Sequence, residues 1–199
     1  MPRRPPGELR QAILDATMAL LRERQDPRLV SVDAVVSAVG CTPPALYYYF
    51  PTKNDLLWQA CHAHYHEFAA DLAAATPRSD DPLADLRARG EAYVEWARAH
   101  PASYRVLFMT PLDVTDPAGS PAAGEGMPDL REVPGLDGLI ADLERAAAAG
   151  HPVGDPNLAA FALWAVVHGF ASLAITEPAI PTEFLRAGME RAFQGVLHA

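Results

Sequence analysis

Between residues 31 and 53 short apolar stretches alternate with turn signals in a pattern that predicts two short helices, a tight turn and a stop. Val32, Val35, Val36 and Val39 recur at i, i+3, i+4 and i+7, one face of a helix behind an oxygen-bearing N-cap, Ser31. Gly40 ends that helix, because glycine enters the left-handed region without a Cβ penalty. Thr42 is placed to cap a second helix with Pro43 in its first position, where the missing N–H costs nothing. Leu46 and Phe50, four apart, face back onto the valines, which leaves Thr42, Tyr47 and Tyr48 pointing outward. Pro51 stops the second helix and Thr52 caps a third. Lys53 then stands at a helix N-terminus, where free N–H groups favour an anion such as DNA phosphate.

The same period predicts an all-α chain of about nine helices and no strand. Helix one covers about 8–24, with Leu9, Ile13, Ala16, Thr17 and Leu20 on one face. Helix four, 52–75, carries Leu57, Cys61, His64, Phe68 and Leu72 on one stripe, and helix five, ending at His100, turns Leu83, Leu86, Gly90, Tyr93, Val94 and Ala97 inward. A short sixth helix is expected over 104–109. Residues 110–134 hold five prolines and three glycines and read as a long mobile loop or lid. Helices over 136–149, 156–176 and 182–197 complete the chain.

Helix eight, 156–176, is apolar nearly all round: Phe161, Ala165, His168 and Ile175 mark one face, Leu163, Val166, Val167, Phe170 and Leu173 the opposite ones. Such a helix is buried on more than one side, and the second side is expected to be another subunit. Helix nine adds Leu185, Met189, Ala192 and Val196, with Gly188 and Gly195 allowing close approach. Two helices from each chain would make an obligate four-helix homodimer interface, with Leu163, Val167, Phe170 and Leu173 at its centre.

Of 199 residues, 50% are apolar, enough for a packed core, and the net charge is −9. That charge argues against nucleic acid until its distribution is read. Up to residue 60 there are seven Lys and Arg against six Asp and Glu; beyond it, nine against nineteen. A weakly basic head on an acidic body suits a small DNA contact with little non-specific binding. No uninterrupted apolar run approaches the ~20 residues of a membrane span, and the N-terminus lacks the apolar core of a secretory signal, so a cytoplasmic protein is expected. Cys41 and Cys61 form no metal or redox pattern. Arg3 and Arg4 lie in a proline-rich arm that reads either as a minor-groove contact or as a frayed terminus.

At this point a resemblance becomes specific. LYYYFPTKNDLL, preceded by LRQAILDATMALL, resembles the DNA-binding domain of TetR-family transcriptional regulators, and WARAHPASYRVLF with WAVVHGFASL resembles the branch with the WHG-type C-terminal domain. The resemblance implies a helix-turn-helix domain over 1–52 and a ligand-binding and dimerisation domain over 53–199. It implies a ligand-responsive homodimer, a repressor released from a pseudo-palindromic operator in double-stranded DNA by a small apolar or aromatic effector. The expected DNA face is Ser31, Val32, Thr42, Pro43, Pro44, Ala45, Tyr47, Tyr48, Tyr49 and Lys53. Tyr49 stands where the family usually has histidine. Asp33 replaces a polar or basic residue, and the second helix has none of the Arg, Lys, Asn or Gln that make bidentate base contacts. Base readout then falls to Thr42, to Pro44 and Ala45 against thymine methyls, and to DNA shape.

Other chemistry is sparse. His62, His64 and His66 invite a metal, but on a helix only His62 and His66 share a face, so no metal site is expected. No nucleophile elbow, zincin motif or phosphate loop is present, and neither catalytic residues nor a cofactor is expected. His64, Tyr93, Trp96, His100, Tyr104, Trp164 and His168 form the candidate effector set, since an apolar pocket with a few polar groups suits a small molecule; the plainer reading is ordinary core. A helical carrier or enzyme whose helix-turn-helix only packs is the alternative, and outward tyrosines at 47 and 48 argue against it.

Overall fold

The structure, a computed structural model, describes residues 6–76, 78–109, 130–133 and 135–197. Arg3, Arg4 and nearly all of the expected loop over 110–134 lie outside the described residues. Among those described there are nine α-helices and no strand: α1 Pro6–Arg24, α2 Val32–Val39, α3 Pro43–Tyr49, α4 Lys53–Ala75, α5 Pro82–Ala99, α6 Pro101–Tyr104, α7 Leu136–Ala148, α8 Pro156–Thr176 and α9 Thr182–Leu197. Packing divides them into two compact units. One holds the residues up to Tyr65 with 102–109, the other His66–Pro101 with the residues from 130 onward, so the division falls inside α4.

In the first unit α2, α3 and the start of α4 close around α1. The inner stripe of α1 is Ile13, Leu14, Thr17, Met18 and Leu21, while Leu9, Ala16 and Leu20, expected inside, are half-buried on its flank. The sequence offers two adjacent apolar rows, and contact with α2 and α3 selects between them. Thr17 is tolerated there because its hydroxyl donates to the Ile13 carbonyl at 2.7 Å. Val35, Val36, Val39, Leu46, Phe50, Leu56 and Leu57 complete this core, with Val106 joining from the return segment. That segment departs from expectation: α6 ends at Tyr104 and Arg105–Met109 forms a π-helical turn. Five residues hold too few turns for apolar period to separate the two forms.

The second unit is built on α5, α7, α8 and α9. Asp81 and Asp155 cap α5 and α8 by accepting from the second and third helical N–H groups, with proline at the first helical position in both. Leu86, Ile140, Leu143, Ala160, Leu163, Phe193 and Leu197 form its core. Beside it Asp142, 2% exposed, accepts from Arg89 at 2.7 Å and from Arg145 at 3.2 Å, and Arg145 also bonds Asp85 at 2.8 Å. The Ser79 hydroxyl and Arg145 hold the Asp85 carboxyl down to about 2.

Two expectations about α8 and α9 are corrected. Leu163 is buried in its own subunit, Val167 lies against α5 at Gly90, and Phe170 against Gly188 of α9. The residues left outward are Leu158, Phe161, Ala165 and Leu173 on α8 and Phe184 on α9. In α9, Leu185 is buried and Val196 packs against the subunit core, so the expected outer stripe faces inward. Periodicity identifies a helix with too many apolar faces but not which face the subunit takes. By length and a mean hydropathy of 2.0, α8 could also cross a membrane; a count of uninterrupted apolar residues misses this because Asn157, His168, Gly169 and Ser172 break the run.

Candidate DNA-binding face and effector region

The turn between α2 and α3 is built as its residues dictate. The Ser31 hydroxyl oxygen accepts from the Ala34 N–H at 3.2 Å. Gly40 adopts the left-handed conformation at φ 73°, and its N–H and that of Cys41 both donate to the Val36 carbonyl, at 2.9 and 3.1 Å. Thr42 occupies the N-cap of α3 with extended backbone, but contrary to expectation its hydroxyl makes no cap bond. It is exposed, as are Pro43 and Pro44, while Ala45 is half-buried.

Leu46 and Phe50 are fully buried, and this fixes the rotation of α3. Tyr48 is consequently 81% exposed and Tyr47 nearly half so. Tyr49 stands edge-on to Tyr48 with ring centres 5.0 Å apart and is half-buried. Val32 is half-buried against the core, so its side chain is committed to packing.

A reciprocal cap begins α4. The Thr52 N–H and hydroxyl donate to Asp55 Oδ2 at 2.8 and 2.9 Å, and the Asp55 N–H donates to Thr52 Oγ1 at 3.1 Å. This sets Lys53 as the first helical residue, its Nζ 3.5 Å from the Arg28 carbonyl. Arg28 went unmarked in the sequence; its side chain is 90% exposed, in the 3₁₀ turn Pro27–Leu29 beside Lys53, and bonds Asp26 at 2.9 Å. That guanidinium holds the Asp26 carboxyl below its usual range. Arg28 could have been found as an exposed cation just before a capped helix.

The structure brings only part of the effector set together. In the second unit Tyr93 Oη lies 3.1 Å from His168 Nδ1, and the Trp164 and His168 rings are 5.8 Å apart. Burial pushes the His168 pKa down. Trp96 meets His100 at 4.8 Å and donates its indole N–H to Asp71 at 3.1 Å. Phe68, expected on the inner stripe of helix four but not in the effector set, links the two groups edge-on, at 5.3 Å from Tyr93 and 4.7 Å from Trp96. Tyr104 and His64 belong to the first unit, where Tyr104 is fully buried against Phe108. His62 stacks on Trp58 at 4.6 Å, and among the described residues no group of three or more His, Cys, Asp or Glu is placed to hold a metal. Cys61 is buried, which pushes its thiol up to about 12 and leaves it unreactive.

Residues 13–60 match the family described as bacterial regulatory proteins, tetR family, and residues 86–198 match the tetracyclin repressor-like C-terminal domain. The chain belongs to the TetR family and is a DNA-binding transcriptional regulator. It is 25% identical over 107 residues to the nucleoid occlusion factor SlmA of Haemophilus ducreyi, covering 54% of this chain and 53% of that protein. The chain thus spans about half the length of the curated relatives it matches. A TetR-family transcriptional regulator from Haemophilus influenzae superposes with a TM-score of 0.67 at 17% identity over 96% of this chain and 98% of that one. SmeT, the repressor of a Stenotrophomonas maltophilia multidrug efflux pump, gives 0.65 at 24% over 95% and 88%, and has also been solved in complex with triclosan.

Proposed function

We propose that the protein is a homodimeric, ligand-responsive repressor acting in the cytoplasm, with α3 as its recognition helix. The observation that carries this is the split character of α3: Leu46 and Phe50 are fully buried, while Tyr48, Tyr47, Thr42, Pro43 and Pro44 are held outward. The tyrosine hydroxyls and Lys53 go to phosphates, with Arg28 beside them, and Ser31, Thr42, Pro44 and Ala45 meet the groove. With few cations on this face, DNA shape contributes much of the selectivity. The DNA-binding domain takes in residues 1–52, and the rest serves effector binding and dimerisation.

The partner of α8 and α9 is a second copy. Leu158, Phe161, Ala165 and Leu173 with Phe184 of α9 form the symmetric patch; Phe184 alone is 72% exposed. The effector is a small apolar or aromatic molecule held beside Tyr93, Trp96, Trp164 and His168 in the second unit. The triclosan complex of SmeT, a neighbour in fold, supports that class of ligand. Binding biases the tilt of α4 and with it the spacing of the two recognition helices, through a difference in effector affinity between the free and the DNA-bound states.

Selection of bound sequences from random duplex DNA by the purified protein is the test. A pseudo-palindrome with half-sites about 34 Å apart, or a multiple of that, is expected. Recovery of no enriched sequence, or of a single unpaired half-site, would sink the dimeric operator reading.

A further inference from the structure

A cavity of about 610 Å³ opens in the second unit, and no member of the aromatic set lines it. Its floor is a run of small side chains, Ala69, Ala70 and Ala73 on the last turns of α4 and Thr76 just beyond it. Its walls carry the guanidinium groups of Arg78, Arg89 and Arg131. Against these, the carboxylate among the lining residues is Asp137, whose Oδ1 accepts from the Gly135 N–H at 3.1 Å.

Each of these cations has a carboxylate beside it, and Arg89 is the most firmly held. Asp142 accepts from Arg89 at 2.7 Å and Arg145 at 3.2 Å and lies 3.7 Å from Arg78, while Asp85 serves Arg145. With Arg131 on Glu144, three carboxylates answer four guanidinium groups in these pairs, and of the charged residues on the lining itself three are arginines and one is Asp137. Arg89 is fixed by its fork on Asp142, through Nε at 3.2 Å and Nη2 at 2.7 Å, and Arg131 is bonded to Glu144 at the rim. The beginning of α7 also lines the space through Gly135, its N-cap, and Gly138 on the same turn, and the Leu136 N–H there donates to the Val133 carbonyl at 3.0 Å. A positive wall above an alanine floor, in the part of the chain where acidic residues outnumber basic ones, is arranged for an anion with an apolar body.

We infer that this cavity binds an organic carboxylate, its charged end on Arg78, Arg89 and Arg131 and its hydrocarbon on the alanine floor of α4. Because binding alone is measured, the outcome does not depend on the regulatory reading above. The full-length protein is titrated by calorimetry with octanoate and with 2-naphthoate, and with octanamide and 2-naphthamide as neutral counterparts. At least one acid binds saturably, one per chain, with Kd below about 1 mM. Its amide binds at least tenfold more weakly. An Arg78→Ala, Arg131→Ala double variant with unchanged thermal midpoint, leaving the Arg89–Asp142 pair intact, loses at least tenfold in affinity for the acid. Ala73→Trp, which fills the floor from an exposed position, loses binding as well. The inference is overturned if neither acid saturates, if acid and amide bind alike, or if both variants retain wild-type affinity.

Discussion

The ring of Phe170 on α8 lies directly on the backbone of Gly188 on α9: a Cβ built on that glycine would stand 2.9 Å from Cε1 and 3.0 Å from Cζ of the ring. Both helices therefore owe their spacing to the missing side chain. Phe170 is thereby occupied within its own subunit. Gly188→Val forces the ring aside and is expected to cost about 1–3 kcal/mol, a fall of several degrees in thermal midpoint. Differential scanning calorimetry measures it, and an unchanged midpoint would mean that the two helices are not in contact here.

Dimerisation is expected to depend on the outward stripe instead. Phe161→Glu with Leu173→Glu removes two large apolar side chains from each copy, at ~1.5–3 kcal/mol apiece if buried. A folded, soluble monomer should result, with at least a hundredfold rise in dissociation constant by sedimentation equilibrium. Retention of the wild-type dimer by this variant would move the interface elsewhere. Phe170→Glu, by contrast, is expected to damage the subunit itself.

On the DNA face, Tyr47→Phe and Tyr48→Phe each remove one phosphate hydrogen bond, worth about 1 kcal/mol or roughly fivefold in affinity. Lys53→Ala should lower affinity across sequences and reduce the slope of log K against log salt by about 1. Fluorescence anisotropy at several salt concentrations reads both. No effect from any of the three would relocate the DNA face.

Acid stability should follow Asp85. Its carboxyl is held at about 2, below the 3.8 usual for aspartate, by bonds from Ser79 and Arg145. The unfolded chain therefore binds the proton more readily, and the stabilisation is present above about pH 4 and is lost as pH falls toward 2. The thermal midpoint should drop across that window, and Asp85→Asn should lower the midpoint at neutral pH while flattening the drop. An equally steep loss in the variant would assign the acid sensitivity to other groups.

The burial of His168 acts nearer neutrality. Its pKa is pushed below the ordinary 6.5, so the unfolded state takes up the proton first and stability declines as pH falls below that value. His168→Phe should remove this decline, read in the same thermal scans between about pH 7 and 5. A wild type with no such decline would refute the neutral, buried histidine.

How much was legible in the amino-acid order depended on the range of the forces involved. Ser31, the four valines, Gly40, Pro43 and the Leu46–Phe50 pair determine the helix-turn-helix by themselves, because caps, turns and i, i+4 faces act within a few residues. For the same reason the bounds of α8 and α9 could be read directly. The outward display of Tyr47 and Tyr48 followed from that local pattern, and Arg28 could be read from it too as a cation before a capped helix, whereas its place beside Lys53 was set only by folding. Tertiary structure decided what local pattern leaves degenerate: which apolar row of α1 turns inward, which face of α8 the subunit takes, and that Leu163 and Phe170 belong to it. It also decided that Arg78, Arg89 and Arg131 line one cavity. Residues that far apart in sequence meet only when helices pack, and packing depends on the shapes of all their neighbours at once.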